Sequence, residues 1–367
     1  ADIIVIRHPW EGSARVVADY AGVPVINAGD GGHQHPTQTL LDLYTIRTER
    51  KNIRGLKVAL WGDLKYGRTV HSLAYALARF GATILFRPAP GLGIPDHVVR
   101  KLTNEYGGEL RRFGAADKAE AGSLFSLAAL YVTPSTPHQL AMMPDVSLQV
   151  ELEKGVDAIY VTRMQKERRE GPRGEGEEGR QYPVVDKKLL REKTFKDSLV
   201  MHPLPRVDEL AYELDADPRA MYFKQAARGV PVRMALISLL LGAGKLEAGR
   251  SGLPSGHRHK YPVYDRGFGV RCQNRNCVSV NEDKYIKPEF SIVSLKPLTL
   301  RCIYCEHEAF PKYVASAEWH EGTVKSKRYH SSDSHWIKKI KPENLIIFDY
   351  ESEAQSRGFL PGKYAEK

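Results

Sequence analysis

Short apolar runs alternate with amphipathic stretches from residue 1 to residue 246, the pattern expected of an α/β protein. Residues 1–7 open with Ile3-Ile4-Val5-Ile6 and read as a strand. Leu56-Lys57-Val58-Ala59-Leu60-Trp61 predicts a buried strand, which Gly62-Asp63 breaks. Helical spacing follows from Thr69 to Phe80, at Val70, Leu73, Ala74, Leu77 and Ala78, and Gly81 closes it. Thr83-Ile84-Leu85-Phe86, residues 157–162 and residues 198–202 predict further strands. Polar residues lie just past several strand ends, where open parallel sheets bind ligands. The longest apolar run, Met234 to Leu241, fits a buried helix and is too short to span a membrane.

Punctuation divides the rest of the chain. GPRGEGEEG, from Gly171 to Gly179, predicts a mobile loop, and a Gly-, Pro- and Arg-rich stretch after residue 246 predicts a linker. Four cysteines follow, then a tail with its own strand-like run, Leu345-Ile346-Ile347-Phe348. No internal repeat is evident.

Composition excludes few classes. With 42% hydrophobic and 27% charged residues in 367, the chain can bury a core and is not disordered throughout. The net charge of +10 invites a nucleic-acid reading, but the excess is spread evenly. Residues 251–367 carry 19 Lys and Arg against 14 Asp and Glu, and residues 1–250 carry 35 against 30. A surface that attracts anionic substrates accounts for it equally well, and nucleic acid is not an expected partner. No basic, apolar leader precedes the first strand, so a cytoplasmic location is expected.

Several polar clusters carry candidate chemistry, and each has an ordinary alternative. His35-Pro36-Thr37-Gln38 opens a helix and serves equally as capping. Lys65-Tyr66-Gly67-Arg68-Thr69 sits between strand and helix, where backbone N–H groups favour an anion, or is a solvated turn. Arg163-Met164-Gln165-Lys166-Glu167-Arg168 follows a strand and reads also as a charged helix start. His202-Pro203-Leu204-Pro205-Arg206 is stiff enough to present carbonyls in a fixed direction.

In this order the clusters resemble the aspartate/ornithine carbamoyltransferase family, and the aspartate branch fits best. The resemblance rests on Arg7-His8-Pro9, GDGGHQHPTQTLLDLYTI from Gly29, GDLKYGRTVHSL from Gly62, TRMQKER from Thr162 and HPLPRVDEL from His202. It is weakest from Arg112 to Pro144. It implies a parallel sheet flanked by helices, followed here by a small β-rich zinc domain. It also implies attack of the aspartate amine on carbamoyl phosphate, with no cofactor or catalytic metal. Arg7 and His35 would polarise the carbonyl oxygen as charge grows there. Gln38 and the carbonyls of Leu204 and Pro205 would hold the carbamoyl NH2. Arg68, Arg163 and Gln165 would grip the aspartate carboxylates, and the loop after Gln165 would close over the substrates.

The family's Ser-x-Arg-Thr phosphate-binding segment and its later Ser/Lys loop are not found, and residue 1 aligns well inside the family pattern. The expectation is a piece of a longer sequence, inactive alone. The alternative is a non-catalytic scaffold that binds partners through its zinc module.

Cys272 and Cys277 form Cys-x4-Cys, and Cys302 and Cys305 form Cys-x2-Cys after a gap of 24 residues. Two close pairs suit a closed, tetrahedral structural Zn2+ site; reduced thiols or a redox pair are the alternatives. RCQNRNCVSVNE and LRCIYCE resemble the zinc domain of the aspartate carbamoyltransferase regulatory chain. That implies a homo-oligomer built on catalytic trimers, while the short linker between the two parts leaves no room for a nucleotide-binding regulatory domain. Residues 329–363 distantly resemble the metal module of the Ada repair protein, with Ser334 and Gly362 where that module carries cysteine. No metal is expected there, although His330 and His335 are potential ligands.

The expected divisions are a carbamoyl-phosphate domain remnant (1–46), an aspartate-binding domain (47–220) and a returning helix (221–246). A linker (247–264), the zinc domain (265–318) and the degenerate tail (319–367) complete the chain.

Overall fold

The computed structural model describes residues 1–89, 91–106, 108–112, 128–132, 155–165, 182, 184–245, 263–264, 270–316, 328–341 and 344–362. The loop expected at 171–179, Lys166 to Arg168, and most of the linker and of the 112–144 stretch lie outside the described residues. The chain divides into two compact units, Ala1–Arg7 with Ala21–Ser255, and His8–Tyr20 with Gly256–Lys367.

The first elements in chain order are β1 (Ile4–His8), α1 (Ser13–Tyr20), β2 (Val25–Asp30), α2 (Pro36–Arg50), β3 (Lys57–Gly62) and α3 (Arg68–Arg79). Next come β4 (Thr83–Pro88), α4 (Asp96–Tyr106), β5 (Gly108–Arg112), β6 (Ala128–Val132), β7 (Ala158–Thr162), β8 (Leu199–Met201) and α5 (Tyr222–Leu240). A six-stranded sheet of order β5-β6-β4-β3-β7-β8 forms the first unit's centre. Pairing is parallel from β4 through β3 and β7 to β8. At the other edge β6 runs antiparallel to β4, and β5 antiparallel to β6.

Both faces of the parallel strands are covered, which is why they read as continuous apolar runs. Val58, Leu60, Ala158 and Tyr160 point to one face, where Ile46 of α2, Leu73 and Leu77 of α3 and Leu102 of α4 pack. Ala59, Trp61, Ile159 and Val161 point to the other, against Leu190, Phe195, Leu214 and Tyr222. α3 ends where Gly81 takes a φ of +76°, with Ala82 N–H donating back to the Leu77 carbonyl at 3.0 Å.

The run from Met234 to Leu241 departs from the expectation. It is helical to Leu240, but Met234 is 65% exposed and Leu241 46%. α5 buries Tyr222, Gln225 and Gly229 near its start. An apolar run shows which surface favours cover, and does not fix which element supplies it.

The second unit contains α1, β9 (Val263–Tyr264), α6 (Val278–Asn281), β10 (Phe290–Leu295), β11 (Leu298–Cys302), β12 (Glu308–Ala309) and β13 (Tyr313–Ser316). β14 (Arg328–Ser331), β15 (Leu345–Phe348), α7 (Glu351–Ser356) and β16 (Leu360–Pro361) follow. β9 to β12 form one antiparallel sheet, and β13 to β16 form another of order β15-β13-β14-β16. One hydrophobic cluster runs through both, joining Phe290, Leu300 and Tyr304 to Val314, Ile337, Leu345 and Ile347. Trp10 and Val16 pack against it. Glu11 fixes that segment: its N–H donates to the Asn276 carbonyl at 2.7 Å, and its carboxylate accepts from Asn274 at 2.7 Å. In the tail, a Cβ at Gly362 would lie 2.3 Å from the His330 ring, so the imidazole fills the space a side chain there would need.

Leu73 is fully buried between α3 and the sheet. Leu73→Ala is expected to cost about 2–5 kcal/mol in urea unfolding, whereas Val230→Ala, on the exposed side of α5, should change stability by under about 0.5 kcal/mol.

Candidate active site and metal centre

Parallel pairing brings the C-terminal ends of β3 and β7 level, with Gly62 opposite Thr162. Asp63, fully buried just past β3, joins the two following turns. Its Oδ1 accepts from the Tyr66 N–H and its Oδ2 from the Gln165 N–H, each at 3.0 Å. The Thr162 hydroxyl donates to the carbonyls of Trp61 at 3.1 Å and Asp63 at 3.3 Å. Tyr182 receives the Asp63 N–H at 2.7 Å and donates to the Thr162 carbonyl; burial raises its phenol well above the ordinary range. Asp63 thus determines where Arg68, Arg163 and Gln165 begin.

Arg68 is the first residue of α3 and only 6% exposed. Its Nη1 donates to the Gly31 carbonyl at 3.3 Å. Gly29, at φ +117°, must be glycine, because a Cβ would sit 2.6 Å from the guanidinium carbon. Arg163 and Gln165 are half-buried: Arg163 donates to the Met164 carbonyl at 3.3 Å, and the Gln165 side chain donates to the Arg163 carbonyl at 3.2 Å.

His35 occupies the N-cap position of α2 without a side-chain capping bond, and Pro36 follows in the first turn. Its N–H donates to the Ser72 hydroxyl at 3.3 Å, and its Nδ1 lies 3.3 Å from the Thr37 hydroxyl. One turn on, Gln38 is buried and donates through Nε2 to Asp42 Oδ1 at 3.0 Å. Gln225 of α5 donates to the same oxygen at 2.7 Å, and its own Oε1 accepts the His202 N–H at 3.0 Å. Asp42 is fully buried; burial pushes its carboxyl up to about 7, opposed by Gln225, Tyr160, Gln38 and Arg233.

The turn after β8 is held from within. Leu204 N–H donates to His202 Nδ1 at 2.9 Å, which leaves Nε2 to donate to Glu209 at 2.8 Å. Glu209 also accepts the Val207 N–H at 3.1 Å. Burial alone would raise the Glu209 carboxyl, but these bonds hold it below its usual range. Leu204 has a φ of +45°, a left-handed conformation uncommon for a bulky side chain, and the Leu204–Pro205 bond is cis. Pro205 is exposed at the rim.

The structure therefore gathers the sequence-designated residues into two linked sets, Arg68 with Arg163 and Gln165 through Asp63, and Gln38 with the 202–205 turn through Asp42 and Gln225. Neither linkage includes Arg7, which is exposed on β1, or His35, which bonds to Ser72 and Thr37 instead. Sequence reasoning passed over Asp42, Asp63, Glu209 and Gln225. Three of these stand inside the quoted motifs and were legible as buried-acid candidates; Gln225 carries no local signal.

In the second unit, Cys272, Cys277, Cys302 and Cys305 are buried, reduced and mutually within 4.8 Å at their sulfurs. Cys272 and Cys305 approach to 3.4 Å, Cys277 and Cys302 to 3.8 Å. A tetrahedral thiolate site with metal–sulfur bonds near 2.3 Å has sulfur–sulfur edges of about 3.8 Å, so the four residues fit one ion. Hydrogen bonds from neighbouring thiols hold Cys277 and Cys302 in the thiolate direction, while those neighbours and burial push Cys272 and Cys305 up. Only a cation allows all four to ionise together.

Family models match three segments. Residues 1–48 match the carbamoyl-P binding domain of aspartate/ornithine carbamoyltransferase, and 137–240 its Asp/Orn binding domain. Residues 266–312 match the metal binding domain of the aspartate carbamoyltransferase regulatory chain. The aspartate carbamoyltransferase catalytic subunit of Methanopyrus kandleri is 43% identical over 243 residues, covering 66% of this chain and 67% of the relative. That of Methanothermobacter thermautotrophicus is 46% identical over 241 residues, covering 66% and 65%. The solved catalytic subunit of M. jannaschii aspartate transcarbamoylase is 40% identical, covers 67% of this chain and 69% of that one, and gives a TM-score of 0.47. The chain thus spans about two thirds of the length of these relatives. Its sequence identity to the catalytic subunits, together with the matched segments, shows that the chain belongs to the aspartate carbamoyltransferase family.

Proposed function

We propose that the protein transfers the carbamoyl group of carbamoyl phosphate to the amine of L-aspartate, giving N-carbamoyl-L-aspartate and phosphate for pyrimidine biosynthesis. The aspartate nitrogen attacks the carbamoyl carbon, the bond to the phosphate oxygen breaks, and the amine releases a proton. Arg7 and His35 polarise the carbonyl oxygen, where negative charge develops. Gln38 and the Leu204 and Pro205 carbonyls orient the carbamoyl NH2. Arg68, Arg163 and Gln165 hold the two aspartate carboxylates, a task suited to guanidinium forks. The observation that carries this reading is the Asp63 carboxylate, which ties the turns bearing those three residues to one sheet edge.

The four-cysteine site holds zinc in a structural role: closed, all-thiolate coordination leaves no position for substrate. The expected assembly is a homo-oligomer built on catalytic trimers, located in the cytoplasm. Among the described residues no helix is long and apolar enough to cross a membrane.

The direct test is carbamoyl-aspartate formation by the protein as its source makes it. Arg163→Ala is expected to raise the KM for aspartate about 10- to 100-fold, the cost of removing a hydrogen bond to a charged group. A wild-type protein that makes no product would overturn the enzyme reading and favour a scaffold. Metal analysis is expected to find one zinc per chain. Cys302→Ser should lose it and lower the thermal midpoint of the second unit; an unchanged midpoint in metal-free protein would contradict the structural role.

A further inference from the structure

Asp42 is a fully buried carboxylate outside the proposed chemistry, yet it receives two side-chain amides on one oxygen. The amide orientations are fixed by the bonding. The His202 N–H can only donate, so Gln225 must present Oε1 to it and Nε2 to Asp42. A carboxylate can only accept, so Gln38 must turn its NH2 inward, which leaves its carbonyl oxygen as the end available to a donor such as a carbamoyl NH2. The chain His202–Gln225–Asp42–Gln38 spans three segments far apart in sequence; Gln225 and Asp42 are separated by 183 positions.

We propose that Asp42 is a positioning residue for carbamoyl transfer, locking the Gln38 amide and the 202–205 turn into one arrangement around the substrate NH2. The inference rests on the proposed function for its chemistry, and on the hydrogen-bond chain alone for its geometry. Without Asp42 both amide NH2 groups lose their acceptor in the interior and Gln225 is held only by the His202 N–H, and misplacement of orienting groups is costly to the reaction. The carboxylate form is the competent acceptor. Tyr160 of β7 and Arg233 of α5 are the ionisable groups that face it.

Two readouts test the inference in the full protein. Asp42→Ala should lower kcat about 10- to 100-fold with the KM for aspartate within about twofold. In a Gln38→Ala background the same change should cost less than it does in the wild type, because the Gln38 contact is already gone and only the Gln225 contact remains to be lost. Full additivity would overturn the proposal. Should Asp42→Ala fail to fold, Asp42→Asn, which retains one acceptor oxygen, is expected to fold and to lack the rise of kcat with pH that ionisation of Asp42 at about 7 gives the wild type. Independently of turnover, 15N-glutamine labelling reads the side-chain amides of Gln38 and Gln225. They should titrate together with a midpoint of about 7 in the wild type and not at all in Asp42→Asn. Separate or absent titration in the wild type would overturn the linkage, whereas absent turnover with intact co-titration would overturn only the enzyme reading.

Discussion

The candidate site depends first on one buried carboxylate at the end of a strand. Parallel strands deliver their C-terminal ends to the same edge, but they leave the next residues free to diverge. Asp63 removes that freedom by accepting the Tyr66 and Gln165 amides on its two oxygens, across 102 positions of sequence in the second case. Thr162 and Tyr182 hold the backbone on either side. The guanidinium of Arg68 and the side chains of Arg163 and Gln165 inherit their starting points from this arrangement. The carboxylate is of the same sign as the substrates, so its value lies in geometry and is set against its charge.

A second carboxylate, Asp42, does the comparable work between α2, α5 and the turn after β8. Burial pushes the Asp42 carboxyl up to about 7, outweighing the amides that favour the charged form. The two knots differ in kind: Asp63 fixes backbone, while Asp42 fixes the side chains of Gln38 and Gln225. The metal module uses neither device. It gathers four buried sulfurs within 4.8 Å of one another, beside a hydrophobic cluster that extends into the tail.

The sequence made the parallel core legible because each strand is buried on both faces and α3 repeats its apolar positions at helical spacing. β3, β4, β7 and β8 fall within a residue or two of their expected limits. Motif order gave the family, and the cysteine spacing gave a metal site, because both signals are local. What stayed hidden is long-range. Gln225 shows no pattern that would pair it with Asp42, and nothing near Glu11 announces Asn274. The antiparallel β6 lies in the stretch where the family resemblance is weakest, and β5 ends where that stretch begins. Met234 to Leu241 shows the limit of composition: the helix forms, yet Met234, Leu240 and Leu241 stay exposed and Leu236, Ile237 and Leu239 are only half-buried.

The most direct test of the account is the affinity for succinate, an unreactive dicarboxylate, measured by calorimetry with carbamoyl phosphate present. The comparison is between the wild type and Asp63→Ala. If Asp63 organises the turns that bind carboxylates, removing its negative charge should weaken succinate binding, against simple electrostatics, by about tenfold or more. Unchanged or tighter binding in Asp63→Ala would mean that the two turns do not form one carboxylate-binding edge, and the account of the site would fail.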